Sequence, residues 1–405
     1  MRRYGLLGAH LTHSFSPQIH ACFGNEPYLL FEKEPEELDS FLKGDFFDGI
    51  NVTIPYKKAV MSYCASLSER AKRIGSVNTL LRLQDGSLYG ENTDYDGFLS
   101  LIQDNHVSVQ GKKAIVLGSG GASLTVQAVL EDLGAGEIVV ISRGGQNNYQ
   151  NLDRHADANI IVNTTPVGMY PHNGEAPVPM KLFSKCYAVF DLIYNPSKTA
   201  LLLAAEEMGI PAYNGLRMLV AQAVKAGELF RSESLALDIG TLTEQIGRRM
   251  RNLILIGMPG CGKSTIGAAL ARMTNRDFAD TDTEIEKAAG MPIPAYFKKY
   301  GEEKFRLLET EVLAKLSSYS GYVIATGGGI VTQERNLPLL RQNSTVIFLN
   351  RDLRMLETAG RPISQKRSIA SIAEERMPNY LAWSDLTVEC TGVHETAAKI
   401  RDLLS

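Results

Sequence analysis

Short apolar runs that end in glycine-rich turns mark two places in this sequence. The first is KKAIVLGSGGAS at residues 112–123, and the second is NLILIGMPGCGKST at residues 252–265. In each run, β-branched residues predict a buried parallel strand, and the residues after the glycines have a helical pattern. A strand, a glycine loop and a helix form the opening unit of a nucleotide-binding α/β fold. Two such units, far apart in the chain, predict two separate nucleotide sites.

The segment before the first glycine loop has a pattern of its own. NVTIPY predicts a strand, whereas ELDSFL, KKAVMSYCASLSERAKRIG and DYDGFLSLIQ predict helices, so we expect a separate α/β domain there. NGLRMLVAQAVKAGELF is again helical, and GRRMRN then leads directly into the second nucleotide-binding strand. The predicted domains are residues 1–97 together with 218–247, residues 98–217, and residues 250–405.

Composition narrows the class of protein. The 405 residues are 44% hydrophobic and 21% charged, which is typical of a soluble globular protein with two or three domains. A formal net charge of −3 gives no electrostatic reason to expect nucleic acid or a membrane surface as a partner. The start shows no signal-peptide pattern, and no run reaches the roughly 20 apolar residues of a membrane helix. A homo-oligomer is compatible with these properties.

The cysteines bear on the expected compartment. They are spread along the chain and none has CxxC spacing, which argues against a zinc site and against a disulfide framework. A reducing cytoplasm is therefore the expected location. The five cysteines are Cys22, Cys64, Cys186, Cys261 and Cys390.

The second glycine loop fits the pattern GxxxxGK[ST]. Its backbone N–H groups and the following helix N-terminus can converge on phosphate oxygens. Lys263 is expected to reach the β- and γ-phosphates of ATP, and Ser264 to hold Mg²⁺. A plain glycine-rich connector is the alternative. The other residues predicted to bind this nucleotide are Gly257, Gly260, Gly262 and Thr265.

Acidic residues follow the loop in FADTDTEIE. Asp280 and Asp282 stand two positions apart at a predicted strand end, so they can share one edge of a cleft. A carboxylate there could order a Mg²⁺-bound water or accept a proton from an attacking hydroxyl. A solvated helix cap is the alternative for this pair.

Three arginines follow, each of which alone would be taken for a surface residue. They are Arg306 in GEEKFRLLE, Arg361 in GRPIS and Arg376 in ERMPNYLAW. Together with IATGGG, the series P-loop, FxDxD, GExxFRxxE, GGG and RxPxY resembles shikimate kinase over about residues 250–405. The resemblance implies a P-loop NTPase-like fold for this part of the chain.

The resemblance also implies roles. Arg306 and Arg376 would clamp the shikimate carboxylate, for which a guanidinium fork is suited. Asp282 would accept the hydroxyl proton, and Asp280 would help to order Mg²⁺. Arg361 would act from the mobile lid over ATP, although isoleucine follows the proline where the family usually has leucine. The implied shikimate-binding positions are Asp282, Arg306, Gly328, Gly329 and Arg376.

The first part of the chain is rich in small hydrogen-bonding residues. Each motif alone is compatible with ordinary turns and caps. In this order, HSxSPxIH, NVTxPxK, GxVNT, ENTDxxG, GxGGA, NTTPxGM, DLIYNP and NGLxMLVxQ resemble shikimate dehydrogenase over about residues 4–247. The resemblance implies a substrate-binding α/β domain and a Rossmann-type cofactor domain.

Carried over by position, Lys57 and Asp94 match the catalytic pair of that family. Hydride addition to a ketone builds negative charge on oxygen, which a hydrogen-bonded ammonium can stabilise and protonate. Asp94 would position the substrate hydroxyl, and it would either keep Lys57 charged or share its proton. The implied substrate-binding residues are Ser14, Ser16, Asn51, Thr53, Asn78, Asp94 and Gln222, with Tyr194 where substrate and cofactor meet.

The first glycine loop is predicted to bind the cofactor. After the next strand, EIVVISR, no acidic residue is available for a ribose 2′-hydroxyl, and Arg143 favours a 2′-phosphate and hence NADP. Only about twenty residues separate Arg143 from Asn163, so one helix of the cofactor domain is expected to be trimmed. The predicted cofactor-binding residues are Gly118, Ser119, Gly120, Gly121, Ala122, Arg143, Thr165, Met169 and Gly215.

The two resemblances name consecutive reactions. The first part would reduce 3-dehydroshikimate to shikimate with NADPH, and the second would phosphorylate shikimate with Mg·ATP. Two alternatives stay open on the sequence alone. A metabolite sensor without turnover should have lost Lys57, Asp94, Lys263 or Asp282, and all four are present. A quinate/shikimate dehydrogenase preferring NAD is opposed by Arg143.

Overall fold

The computed structural model describes residues 3–11, 14–25, 27–356 and 368–404. Two compact units are present. The first comprises Met1–Tyr194 and Leu201–Ile246, and the second comprises Asn195–Ala200 and Gly247–Ser405. Each of the three sheets lies inside one of the predicted domains. The domain boundaries themselves stay predictions.

The first sheet has six strands in the order β2-β1-β3-β5-β6-β4. β3 pairs antiparallel with β5, and β5 antiparallel with β6, whereas the other pairs are parallel. Buried Leu7, Ile50, Val52 and Leu80 form part of the core beneath it. The strands are β1 Tyr4–Gly8, β2 Tyr28–Glu32, β3 Gly49–Val52, β4 Ser66–Leu67, β5 Thr79–Arg82 and β6 Leu88–Glu91. The helices are α1 Ser16–Ala21, α2 Leu38–Lys43, α3 Glu69–Ile74 and α4 Asp94–Asp104.

The single helix predicted for KKAVMSYCASLSERAKRIG is wrong. This segment forms a 3-10 turn at Ala59–Tyr63, the edge strand β4 and only then helix α3. Pairing of β4 with β6 supplies backbone hydrogen bonds that a continuous helix would have used internally. Ser68 then caps α3, since its side chain accepts from the N–H of Ala71 at 2.9 Å. The strand predicted for NVTIPY is confirmed only for its first two residues, in β3.

The second sheet has five parallel strands in the order β11-β10-β9-β7-β8. Its three central strands, β7, β9 and β10, are buried runs, as expected for a parallel sheet. They are β7 Lys113–Leu117, β8 Glu137–Ile141, β9 Ile160–Asn163, β10 Ala188–Asp191 and β11 Ala212–Asn214. The helices in this stretch are α5 Gly121–Asp132, α6 Ala200–Glu207, α7 Leu216–Arg231 and α8 Ile239–Met250.

Between β8 and β9, where a trimmed helix was predicted, the structure has no α-helix in residues 142–159, all of which it describes. A 3-10 turn at Leu152–His155 takes its place, so the prediction is confirmed. Asparagine side chains make hydrogen bonds within this loop. Asn151 Oδ1 accepts from the N–H of Asn148 at 2.9 Å, and Asn147 Oδ1 lies 3.1 Å from Nε2 of His155.

The third sheet has five parallel strands in the order β13-β14-β12-β15-β16. The strand before the GxxxxGK[ST] loop, β12, lies at its centre, as expected for a P-loop fold. The strands are β12 Asn252–Ile256, β13 Asp277–Asp280, β14 Tyr322–Ala325, β15 Ser344–Asn350 and β16 Leu386–Glu389. The helices are α9 Lys263–Thr274, α10 Thr281–Ala289, α11 Ile293–Ser317, α12 Asn336–Arg341, α13 Ile369–Trp383 and α14 Val393–Leu404.

Helix α11 consists of two helical segments that meet at Gly301. This residue has φ 81° and ψ 175°, a backbone conformation that favours glycine. No helix in the described parts of the chain is long and apolar enough to cross a membrane.

Candidate functional site

Lys57 and Asp94 form the centre of the first candidate site. Lys57 lies in the turn after β3, and Asp94 is the first residue of α4. Nζ of Lys57 lies 2.5 Å from Oδ2 of Asp94. The side chains are 17% and 8% exposed, so water screens this pair poorly. An ammonium held this way can donate to an oxygen that gains negative charge.

Three predicted substrate-binding amides come together beside this pair. Nδ2 of Asn78 donates to Oγ1 of Thr93 at 3.0 Å and to Oε1 of Gln222 at 3.4 Å. Oδ1 of Asn78 accepts from the N–H of Thr93 at 2.7 Å. Asn51, on β3, donates to Oγ1 of Thr79 at 3.1 Å. The result is a buried polar cluster contributed by β3, β5 and α7.

The remaining substrate-side residues lie on short loops. Ser14 Oγ accepts from the N–H of Ser16 at 3.3 Å, at the start of α1. Phe15 between them meets the ring of Tyr194 edge-on, with centroids 6.2 Å apart. Burial raises the pKa of Tyr194, so its hydroxyl stays protonated at neutral pH. Thr53 lies against Gly8, because a Cβ added to Gly8 would lie 2.7 Å from its Cγ2.

The first glycine loop reaches this centre. Gly118 has φ 104°, which favours glycine, and its N–H donates to the carbonyl of Ile141 at 2.8 Å. Gly120 caps α5, so the helix N-terminus faces the loop. A Cβ added to Gly121 would lie 3.0 Å from Oγ of Ser76 and 3.6 Å from Cβ of Lys57. The first turn of the cofactor helix is therefore adjacent to the lysine. This cradle suits a pyrophosphate.

The other predicted cofactor residues differ in their surroundings. Thr165 lies near Gly118, since a Cβ added to Gly118 would lie 3.0 Å from its Cγ2. Arg143 is exposed two residues beyond β8, and Met169 is 46% exposed. Gly215 cannot carry a side chain, because its Cβ would overlap the carbonyl oxygen of Leu192. Ser119 is exposed in the loop, and Ala122 continues α5.

The second glycine loop has the geometry of an anion cradle. Gly257, Gly260 and Gly262 have φ of 148°, 86° and 101°, which favour glycine. Lys263 starts α9, and its Nζ donates to the carbonyls of Gly257 at 2.9 Å and Met258 at 3.0 Å. The ammonium thus lies inside the loop, within reach of a bound phosphate. Thr265 is exposed on the first turn of α9.

Ser264 and Asp280 face each other across this loop. Oγ of Ser264 donates to Oδ2 of Asp280 at 2.5 Å. Oδ1 of Asp280 accepts from the N–H of Asp282 at 2.9 Å and caps α10. The cap alternative is thus correct for one carboxylate oxygen, while the other faces the P-loop serine. The described residues contain no cluster of three metal-binding side chains. A hydroxyl and one carboxylate fit Mg²⁺, which takes its remaining ligands from water and phosphate.

A buried arginine site lies next to the glycine triplet. Nη1 of Arg306 lies 2.7 Å from Oε2 of Glu309, and the two residues are 5% and 1% exposed. A Cβ added to Gly329 would overlap the Arg306 guanidinium. Nη1 of Arg376 donates to the carbonyl of Gly328 at 2.9 Å. Both predicted carboxylate-binding arginines therefore meet the same glycine triplet.

Glu309 was missed as a candidate site residue. Burial raises the pKa of its carboxyl, against the opposing effect of Arg306. Its spacing of three from Arg306 on a predicted helix could have identified it. Asp282 lies close by, since a Cβ added to Gly327 would lie 3.0 Å from its Oδ1 and 2.9 Å from Oε1 of Glu309. Arg361, the predicted lid arginine, lies outside the described residues.

Comparisons with known proteins identify a family for each part of the chain. Family models match "Shikimate dehydrogenase substrate binding domain" at residues 6–80 and "Shikimate kinase" at residues 259–404. The shikimate dehydrogenase (NADP(+)) of Clostridium beijerinckii is 37% identical over 250 residues, covering 57% of this chain and 92% of that protein.

Solved structures resemble the dehydrogenase part of the chain. Shikimate dehydrogenase 1 from Peptoclostridium difficile is 37% identical with a TM-score of 0.57, covering 61% of this chain and 98% of that one. Shikimate 5-dehydrogenase from Thermus thermophilus, solved with NADP(H) and shikimate, is 33% identical with a TM-score of 0.55, covering 60% of this chain and 98% of that one.

Proposed function

Because the chain belongs to the shikimate dehydrogenase family in its first part and carries a shikimate kinase domain in its second, we propose that it catalyses two consecutive reactions. It reduces 3-dehydroshikimate to shikimate with NADPH, and then phosphorylates the 3-hydroxyl of shikimate with ATP. The observation that best supports the first reaction is the position of the Lys57–Asp94 pair beside the first turn of the cofactor helix. For the second, it is Ser264 and Asp280 facing each other across the P-loop.

In the reduction, bound NADPH supplies the hydride. Asn51, Asn78 and Gln222 hold the hydroxyl and carboxylate groups of the substrate. The ammonium of Lys57 donates its proton to the ketone oxygen as negative charge develops there, and Asp94 holds the ammonium in position. The product is a secondary alcohol at the carbon that was the ketone.

In the phosphorylation, Mg·ATP supplies the phosphoryl group. Arg306 and Arg376 bind the substrate carboxylate, with Glu309 holding the Arg306 guanidinium in place. Asp282 accepts the proton of the attacking hydroxyl, and Lys263 stabilises charge on the phosphates. Ser264 and Asp280 would hold Mg²⁺, which would neutralise charge on the phosphates, and we assign transition-state stabilisation to Arg361 from its sequence position alone.

Arg143 is proposed to select NADP by binding its 2′-phosphate. It stands alone at the end of β8, without an acidic residue after the strand. Arg143→Ala should raise KM for NADPH much more than KM for NADH, and steady-state kinetics with both cofactors measures this. Equal effects on the two cofactors would contradict the assignment. We also propose a cytoplasmic location, which the unpaired state of all five cysteines supports.

A coupled assay of the full chain tests both reactions. With 3-dehydroshikimate, NADPH and Mg·ATP, we expect NADPH loss by absorbance and shikimate 3-phosphate by mass spectrometry. Lys57→Ala should abolish NADPH loss, whereas Lys58→Ala, at an exposed neighbour, should not. Lys263→Ala should abolish the phosphorylation, so that shikimate accumulates as the end product.

Each failure has a distinct meaning. NADPH loss without phosphate formation would contradict the kinase assignment. Phosphate formation from added shikimate without NADPH loss would contradict the dehydrogenase assignment. Binding of both ligands without either reaction would favour a metabolite sensor.

A further inference from the structure

The side chain of Asn51 is hydrogen-bonded to a buried tyrosine. The hydroxyl of Tyr28 donates to Oδ1 of Asn51 at 2.8 Å. Nδ2 of Asn51 points the other way and donates to Oγ1 of Thr79 at 3.1 Å and to the carbonyl of Asn78 at 3.4 Å. Burial raises the pKa of Tyr28 well above its ordinary value, so the phenol stays protonated and remains a donor. An asparagine amide can face either way, and a fixed donor decides which atom faces it.

His20 holds the Tyr28 ring. The two rings stack with centroids 3.9 Å apart and an interplanar angle of 15°, and His20 is completely buried. Burial lowers the pKa of His20 to about 3, against the opposing effect of Asn51, so the ring is neutral at physiological pH. A neutral, enclosed ring gives Tyr28 a stacking surface whose charge does not change near neutral pH.

The tautomer of His20 follows from its other neighbours. Nε of Arg231 donates to Oδ1 of Asn25 at 2.9 Å, and arginine has no acceptor. Asn25 therefore presents Nδ2 to Nδ1 of His20, at 3.2 Å. Nδ1 is then the acceptor and the proton resides on Nε2. The hydrogen bonds from Arg231 to Asn25 and from Asn25 to His20 therefore determine the orientation of the Asn25 amide and the tautomer of the His20 ring.

We propose that Tyr28, held by its stacking on His20, is a positioning residue that orients the Asn51 amide for the substrate. With Oδ1 engaged by Tyr28, and Nδ2 donating to Thr79 and to the carbonyl of Asn78, the Asn51 amide is held in one orientation within the polar cluster around Asn78. This inference rests on the proposed dehydrogenase function, since it requires the substrate beside Asn51.

Removal of the phenol oxygen alone tests the inference. In Tyr28→Phe the amide loses its fixed donor, so KM for 3-dehydroshikimate should rise about tenfold while kcat stays near the wild-type value. The matched control is Tyr4→Phe. Tyr4 lies in the same buried cluster, and its hydroxyl donates to the carbonyl of Phe230 at 3.0 Å, so it has the same chemistry without the link to Asn51. Tyr4→Phe should leave KM unchanged.

Two further readouts separate positioning from a structural role. The kinase reaction of the same chain should keep its rate in both variants, which shows that the second unit is folded, and an unchanged kcat for the reduction shows that the first unit, which contains Tyr28, is folded. On an Asn51→Ala background, Tyr28→Phe should add no further increase in KM, because the group it orients is gone. An equal KM in Tyr28→Phe and Tyr4→Phe, or additive effects with Asn51→Ala, would overturn the inference. A wild-type chain that does not reduce 3-dehydroshikimate overturns the proposed function instead, and the inference with it.

Discussion

Nζ of Lys57 and Oδ2 of Asp94 lie 2.5 Å apart although 37 residues separate them in the chain. Lys57 lies in the turn after β3, and Asp94 lies at the N-terminus of α4. The pair therefore forms only when the folded chain brings this turn and this helix together. The lysine in turn lies beside Gly121, on the first turn of the cofactor helix. A proton donor and the cofactor cradle therefore meet in one place.

Asp94→Asn should slow the reduction. The amide cannot balance the ammonium of Lys57, so we expect the rate of NADPH oxidation to fall by about 10²-fold or more. Asp96→Asn is the matched control, because Asp96 lies on the same helix but pairs with Arg70 at 2.5 Å. Stopped-flow or steady-state absorbance measurements give the rate of NADPH oxidation for both variants. Equal losses in the two variants would show that the effect is structural.

Gly329→Ala should weaken shikimate binding by the kinase. The added methyl group would overlap the guanidinium of Arg306, which has no room to retreat because it is bound to buried Glu309. We expect KM for shikimate to rise by at least about tenfold, as a charged hydrogen bond is lost. Gly174→Ala, where a Cβ meets nothing within 4 Å, should be neutral. An unchanged KM would mean that Arg306 does not bind the substrate.

Ser76→Ala should leave the chain at least as stable as the wild type. The Ser76 hydroxyl is completely buried and has no hydrogen-bond partner among the described residues. Removing it removes a desolvation cost of about 1–3 kcal/mol. Ser123 is an equally buried serine whose Oγ accepts from Nε2 of Gln127 at 3.1 Å, so Ser123→Ala should instead destabilise by about 1 kcal/mol. Urea unfolding followed by circular dichroism compares them, and a destabilised Ser76→Ala would contradict the prediction.

His20 should make the stability of the first unit depend on pH. Its pKa is about 3 in the folded chain and 6.5 ordinarily, so the unfolded chain binds this proton first as pH falls. His20 has no such effect above pH 6.5, and between pH 6.5 and 3 the free energy of unfolding should fall by up to about 1.4 kcal/mol per pH unit.

His20→Phe should remove that slope, which urea unfolding at a series of pH values can measure. His106→Asn, at an exposed histidine, should leave the slope unchanged. A slope that persists in His20→Phe would assign the pH dependence to other groups.

Features that depend on a local pattern of residues could be predicted from the sequence alone. A strand, glycines and a helix are contiguous, so both nucleotide loops and their order could be predicted, together with Lys57, Asp94, Lys263 and the arginines through their motifs. The trimmed cofactor helix followed from chain length alone, because about twenty residues cannot hold a helix, a strand and their loops.

Contacts between residues that are far apart in the chain could not be predicted in this way. Asn78 meets Gln222 across 144 positions, and Tyr28 reaches Asn51 through the packing of β2, β1 and β3. The segment that was predicted to be helical from Lys57 onward contains strand β4 instead, because it pairs with β6. A local sequence pattern does not show that such a pairing partner exists. Side-chain orientation, such as that of the Asn51 amide, is set by donors and acceptors that only folding brings together, since hydrogen bonds require geometry that a sequence does not contain.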